Sequence, residues 1–189
     1  YGFVNFTLSV NYKAEMIIEH FKREDFSNIN IEYIIEKERL GTIGSLGLIK
    51  HKPKEPFIVI NGDILTSLNI ENLLDYHISN NAVATMVTKK YSIQNKYGTI
   101  SISDDNEIVA IEEKPVYHSL INTGIYVFNP EVISYIPKGK YFDVTDLFGI
   151  LITKNKKICN YTTDDYWLDI GHINDYKKAQ VDFAYLKEK

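Results

Sequence analysis

Two carboxylates at the ends of short apolar runs are the residues of this chain best suited to chemistry. In Phe57-Ile58-Val59-Ile60-Asn61-Gly62-Asp63 a continuously apolar segment runs straight into Gly-Asp, and in Trp167-Leu168-Asp169-Ile170-Gly171 a shorter one ends in an Asp near a Gly. In open α/β sheets, ligands occupy the crevice beyond the carboxyl ends of the strands. An Asp delivered there suits a hard divalent cation such as Mg²⁺, bound jointly with phosphate oxygens, and the glycine allows close backbone approach. Two such residues from distant strands can hold one or two ions, offsetting the repulsion between an anionic nucleophile and an anionic phosphorus centre. The plainer reading is that each Asp caps the turn that follows it.

Other candidates are weaker alone. Lys114, in Glu112-Glu113-Lys114-Pro115, is a point charge suited to a phosphate and fixed by the following proline, or else part of a solvated charged turn. Asn122 and Thr123 interrupt the apolar run Leu120 to Phe128 and need partners, which sugar hydroxyls or neighbouring backbone would supply. Gly41, Gly44 and Gly47 form neither a dinucleotide fingerprint nor a P-loop; they serve ligand contact or close helix packing equally well. His77 falls on an apolar face with Ile70, Leu73 and Leu74 and reads as a core or edge histidine. The sequence offers no Ser/His/Asp constellation with local support, no Cys/His metal spacing and no G-x-S-x-G.

The elements that must position these residues follow from periodicity. Phe6, Leu8 and Val10 alternate as in a half-buried strand, and Ala14, Ile17, Ile18 and Phe21 form a helical stripe that Asn11 is placed to cap. Asn30 to Glu36 reads as a strand, Gly44 to about His51 as a short helix, and Phe57 to Ile60 as a strand buried on both faces. A helix over Ile70 to Ser79 and a strand over Ala82 to Thr88 continue the alternation. Thr99 to Ser103 and Ile108 to Glu112 flank Asp104-Asp105-Asn106 as an antiparallel hairpin. Leu120 to Phe128 is a long strand, and Asn129-Pro130 opens a helical turn. Helices over Thr145 to Thr153 and Asn174 to Lys187 enclose strands at Ile158 to Tyr161 and Tyr166 to Leu168; the last helix carries Tyr176, Ala179, Phe183 and Leu186 on one face. The expected fold class is α/β: a Rossmann-like, mostly parallel sheet flanked by helices, with a small antiparallel β extension, in one domain over residues 1–189.

Composition narrows the partners. The chain has 189 residues, 44% hydrophobic and 24% charged, in the range of globular domains. A net charge of -4 argues against polymeric nucleic acid and membrane surfaces, which attract basic proteins. The single cysteine, Cys159, cannot form an internal disulfide and fits a reducing, cytoplasmic compartment. No apolar run is long enough to span a bilayer. Because the chain opens on Tyr1-Gly2-Phe3, it is expected to be a fragment of a longer protein.

Taken in order, Leu40-Gly41-Thr42-x-Gly44, Asn61-Gly62-Asp63, Tyr97-Gly98, Glu113-Lys114-Pro115, Asn122-Thr123-Gly124 and Trp167-Leu168-Asp169-Ile170-Gly171 resemble the sugar-1-phosphate nucleotidylyltransferase family, mannose-1-phosphate guanylyltransferases included. The resemblance implies that Asp63 and Asp169 bind Mg²⁺, that Gly41 and Gly44 lie against the nucleoside, and that Gly98 contacts the sugar. It further implies that Glu113 binds sugar hydroxyls, Lys114 meets the sugar phosphate, and Asn122 and Thr123 line the sugar pocket. The implied reaction joins a nucleoside triphosphate and a sugar 1-phosphate into an NDP-sugar and pyrophosphate, chiefly through positioning and electrostatic stabilisation.

The sequence departs from that family in two places. The Gly-x-Gly-Thr-Arg loop that cradles the triphosphate, and the strand before it, have no counterpart here, so the chain alone is expected to be inactive or nearly so. Loss of that strand would bare apolar sheet surface and favour homo-oligomers. His172-Ile173 stands where relatives commonly have Thr-Pro. The resemblance is to short, single-activity forms, some of which act in nonulosonic-acid or surface-glycan synthesis. Two alternatives remain at this point. A non-catalytic regulatory subunit would keep the sugar pocket; a glycosyltransferase of related fold would ordinarily show Asp-x-Asp where this chain has Asp63-Ile64-Leu65.

Overall fold

The computed structural model describes residues 1–23, 26 and 28–187, the last four of these by backbone alone. Its strands are β1 (Asn5–Val10), β2 (Asn30–Ile35), β3 (Phe57–Ile60), β4 (Ile64–Thr66), β5 (Ala84–Gln94), β6 (Thr99–Ile102), β7 (Ile108–Glu112), β8 (Val116–Phe128), β9 (Ile158–Thr163) and β10 (Trp167–Asp169). The helices are α1 (Ala14–Arg23), α2 (Ile70–Ser79), α3 (Val144–Thr153) and α4 (Ile173–Lys187). Segments Gly44–Leu48 and Pro130–Tyr135 are 3₁₀ turns, the first shorter than the helix expected there. Four strands form a sheet in the order β3-β8-β5-β9. The α/β class expected from the alternation of elements is the class observed, with antiparallel pairs included.

Two compact units divide the chain. The first comprises Tyr1–Asn61, Asn69–Thr85 and Tyr126–Cys159. Within it β1 and β2 pair in parallel, in register from Asn5 opposite Asn30 to Val10 opposite Ile35. The core is aromatic and aliphatic: Tyr126 stacks on Phe128, Phe148 packs against both and Phe57 against Phe128, while Ile43, Leu73, Val132, Leu147 and Leu151 are fully buried. Such rings bury large apolar areas and account for much of a core's stabilisation.

Several local expectations are corrected in this unit. β3 is half-buried rather than covered on both faces, with Ile60 45% exposed, because the strand order puts it at a sheet edge. Phe6 is exposed where alternation predicted burial; β1 has one hydrogen-bonded neighbour and is buried only at Val10. Asn11 stands three residues before α1, which begins only at Ala14, and its amide nitrogen donates to Glu36 O at 2.8 Å. Asn129 likewise leaves the following turn without a side-chain cap, because its amide group is engaged by His77 and Ala82.

The second unit comprises Gly62–Leu68, Met86–Ile125 and Asn160–Lys189. The expected hairpin is present as β6 and β7, antiparallel with Ile100 opposite Ile111 and a register shift before Ile102, which pairs with Ile108. These four isoleucines are 59–69% exposed. β10 pairs antiparallel with β4, a three-residue strand the sequence pattern did not announce. Tyr166 ties α4 down by donating its hydroxyl to Asp182 Oδ2 at 2.6 Å. Leu186, expected on the docking face of α4, has its side chain outside the described residues.

Candidate active site

The β4–β10 pair brings Asp63 and Asp169 together in the second unit. Asp169 lies opposite Ile64, the residue after Asp63, and Ile170 N donates to Asp63 O at 2.8 Å, which closes the ladder. The point where a Cβ on Gly171 would stand lies 3.0 Å from Asp169 Oδ1 and 3.7 Å from Asp63 Oδ2, so the two carboxylates converge. Gly171 N donates to Asp169 Oδ1 at 2.8 Å and fixes that side chain. Both acids are exposed, and among the described residues neither is in an ion pair. No cluster of three or more His, Cys, Asp or Glu side chains arranged to hold a metal occurs among the described residues. Mg²⁺ needs none: it is held by one or two carboxylates together with substrate phosphates and water. The converging, uncompensated pair fits that ion.

Gly98, Glu113 and Lys114 also come together. A Cβ on Gly98 would stand 2.9 Å from Glu113 Oε2, so the absence of a side chain is what admits the carboxylate. Lys114 adopts φ +49°, a left-handed conformation costly for a residue with a side chain, immediately before buried Pro115. Asn95 N donates to Pro115 O at 2.9 Å and pins the turn. The ammonium is 3.9 Å from Glu113 Oε1, a loose contact between two exposed groups that leaves both available to a ligand.

Asn122 and Thr123 part company. Asn122 is exposed, with Oδ1 accepting from Gly124 N at 3.0 Å. Thr123 is 1% exposed and donates its hydroxyl to Val87 O at 2.8 Å, so this hydroxyl is committed to the fold, not offered to a sugar. Its carbonyl accepts from Trp167 Nε1 at 2.8 Å, which ties β10 to β8 two residues from Asp169. The motif around Trp167 does not by itself announce this role; a lone tryptophan two residues before a candidate ligand is the signal the sequence carries.

Gly41 and Gly44 lie in the first unit. Gly41 has φ +76°, and a Cβ there would stand 2.7 Å from Asp143 Oδ1 and 2.8 Å from Phe142 O; at Gly44 it would stand 2.7 Å from Lys140 O. Both glycines are demanded by the close approach of the chain at 140–143. Asp143, which the sequence reading missed, accepts from Thr42 N and Thr42 Oγ1 at 2.9 and 3.0 Å and from the Tyr141 hydroxyl at 2.6 Å. These donors, Tyr141 first, hold its carboxyl below the usual carboxylate range. The helix expected from Thr145 starts at Val144, which makes Asp143 its N-cap residue, and an Asp at that position is too common to mark a site.

His77 is buried as expected and remote from chemistry in kind: Nδ1 is 2.8 Å from Thr85 Oγ1 and Nε2 3.1 Å from Asn129 Oδ1. No helix among the described residues is long and apolar enough to cross a membrane.

The chain is 33% identical to a mannose-1-phosphate guanyltransferase of Kluyveromyces lactis over 95% of its own length and 52% of that protein. It is 31% identical to a UTP–glucose-1-phosphate uridylyltransferase of Synechocystis over 95% of its length and 51% of that protein. The chain thus spans about half the length of the curated relatives it matches. Among solved structures, HddC from Yersinia pseudotuberculosis superposes with a TM-score of 0.70 at 28% identity, over 96% of this chain and 80% of that one. The same protein is known in complex with GMP-PN, where the TM-score is 0.66. The sequence matches the nucleotidyl transferase family over residues 2–185, nearly its whole length. With the resemblance in motif order and the shared fold, this places the chain in the nucleotidyl transferase family.

Proposed function

We propose that the protein to which this chain belongs transfers a nucleotidyl group, guanylyl by preference, to a sugar 1-phosphate. The observation that carries this reading is the convergence of Asp63 Oδ2 and Asp169 Oδ1 on one point at the end of the β4–β10 pair. Guanosine is favoured by the mannose-1-phosphate guanyltransferases among the relatives and by the GMP-PN complex of HddC.

A phosphate oxygen of the sugar 1-phosphate forms a bond to the α-phosphorus of the triphosphate, the bond from that phosphorus to the bridging oxygen breaks, and pyrophosphate departs with the electron pair. Mg²⁺, when bound, neutralises phosphate charge. Asp63 and Asp169 hold it, Lys114 fixes the sugar phosphate, and Glu113, across from Gly98, accepts hydrogen bonds from sugar hydroxyls. Asn122 lines the pocket of the same sugar, and the turn containing Gly41 and Gly44 receives the nucleoside. Little covalent chemistry is asked of the protein, so positioning and charge compensation supply the rate. Thr123 acts from behind, through Val87 and Trp167.

Thermal-shift titration with GDP- and UDP-sugars tests this, with and without Mg²⁺, on wild type and Asp169→Asn. A ligand bound by the native state raises the melting temperature by mass action. A Mg²⁺-dependent rise with a GDP-sugar that disappears in Asp169→Asn supports the reading. A rise equal in both proteins, or one with UDP-sugars alone, refutes the metal assignment or the base respectively.

A further inference from the structure

The turn 40–44 is locked in place by a single carboxylate. Oδ1 of Asp143 accepts from both the backbone N–H and the hydroxyl of Thr42, and Oδ2 from Tyr141. Backbone bonds bracket the same point: Phe142 N donates to Leu40 O at 2.8 Å and Ile43 N to Phe142 O at 3.3 Å. Gly41, in its left-handed conformation, leaves no room for a Cβ against Asp143 and Phe142. Asp143 directly precedes α3, where such a side chain ordinarily accepts from the helix's own first amides. Here the same carboxylate also accepts from Thr42 and Tyr141, while the capping box with Asp146 is kept, Asp143 N donating to Asp146 Oδ2 at 3.0 Å. A helix cap whose carboxylate also takes two donors from a neighbouring turn ties that turn down.

We propose that Asp143 is a positioning residue for nucleotide binding, holding the 40–44 turn in the shape that receives the nucleoside. This rests on the function proposed above, which gives that turn to the nucleoside. Asp143 touches no reacting atom; it acts through Thr42 and Gly41. Because the sugar phosphate is assigned to other residues, Asp143 should affect one substrate and spare the other.

Steady-state kinetics on the full protein, with nucleoside triphosphate and sugar 1-phosphate varied separately, test this. Asp143→Ala is expected to raise KM for the triphosphate about tenfold or more and to leave KM for the sugar 1-phosphate within about twofold. Tyr141→Phe, which spares the Thr42 bonds, should raise the triphosphate KM by less, and Thr42→Ser, which keeps both donors, should restore wild-type behaviour. If Asp143→Ala does not fold, Asp143→Asn, which retains an acceptor oxygen, carries the test in the same direction. Equal rises in both KM values, or an unchanged triphosphate KM in a folded variant, overturn the inference. A wild-type protein without turnover refutes the proposed function instead, and this inference with it.

Discussion

Acidification should destabilise the first unit through His77, in a way its hydrogen bonds specify. Asn129 donates its amide to Ala82 O at 3.0 Å, so its Oδ1 faces His77 as an acceptor, and the imidazole proton must sit on Nε2. Nδ1 then accepts from the Thr85 hydroxyl. With His77 1% exposed and Thr85 fully buried, a second ring proton would be desolvated and would deprive the Thr85 hydroxyl proton of its acceptor. Burial, the larger influence, accordingly holds the His77 pKa below 6.5, against a smaller opposing contribution from Asn129. A folded-state pKa below the unfolded one gives stability that is complete above about pH 6.5 and is lost as pH falls toward the folded value. The slope of that loss cannot exceed about 1.4 kcal/mol per pH unit for one proton. Urea denaturation followed by far-UV circular dichroism below pH 6.5, on wild type and His77→Gln, isolates the effect: the variant should lose less stability than wild type as the pH falls, by at most about 1.4 kcal/mol per pH unit. Thr85→Val, nearly isosteric, should cost about 2 kcal/mol at neutral pH by leaving Nδ1 unsatisfied. Parallel acid profiles in wild type and His77→Gln would refute the neutral, Nε2-protonated assignment.

Three further outcomes are expected. Gly41→Ala should lower stability by more than Gly139→Ala: both glycines have positive φ, but only the first meets backbone and carboxylate oxygens under 3 Å, and chemical denaturation should show an excess of about 1 kcal/mol or more. Gly171→Ala should displace the Asp169 carboxylate and weaken Mg²⁺ binding about tenfold in calorimetric titration, with little change in fold. The Tyr166 phenol, pushed up to about 12 by burial and then by Asp182, should be missing from the high-pH end of the ultraviolet titration in Tyr166→Phe.

What was legible in the sequence was local. The apolar run into Gly62-Asp63 announced β3 and its carboxylate, and Asp104-Asp105-Asn106 between alternating runs announced the β6–β7 hairpin. What was not legible depended on partners far along the chain. β4 is three residues long, too short for any period, and exists because β10, about a hundred residues later, pairs with it. The exposure of Ile60 follows from strand order, which alternation does not encode. A polar Thr123 in an apolar strand needs a partner, sugar or backbone, and only the family resemblance put it in the sugar pocket; Val87 O supplies the partner, a choice the strand pattern does not make. Asp143 caps α3 and also holds Thr42, about a hundred residues earlier, and a contact across that gap in sequence is one that local propensity does not see.

Trp167 is the only tryptophan in the chain. Its indole is held by Thr123 O, and it lies two residues before Asp169 on the same strand. The protein therefore carries a native fluorophore beside its candidate metal ligand, with no competing indole emission to subtract. Occupancy of that neighbourhood is open to observation by intrinsic emission in the unlabelled protein, on the time scale of a stopped-flow mixer, so that the order in which ions and nucleotides arrive becomes a spectroscopic question.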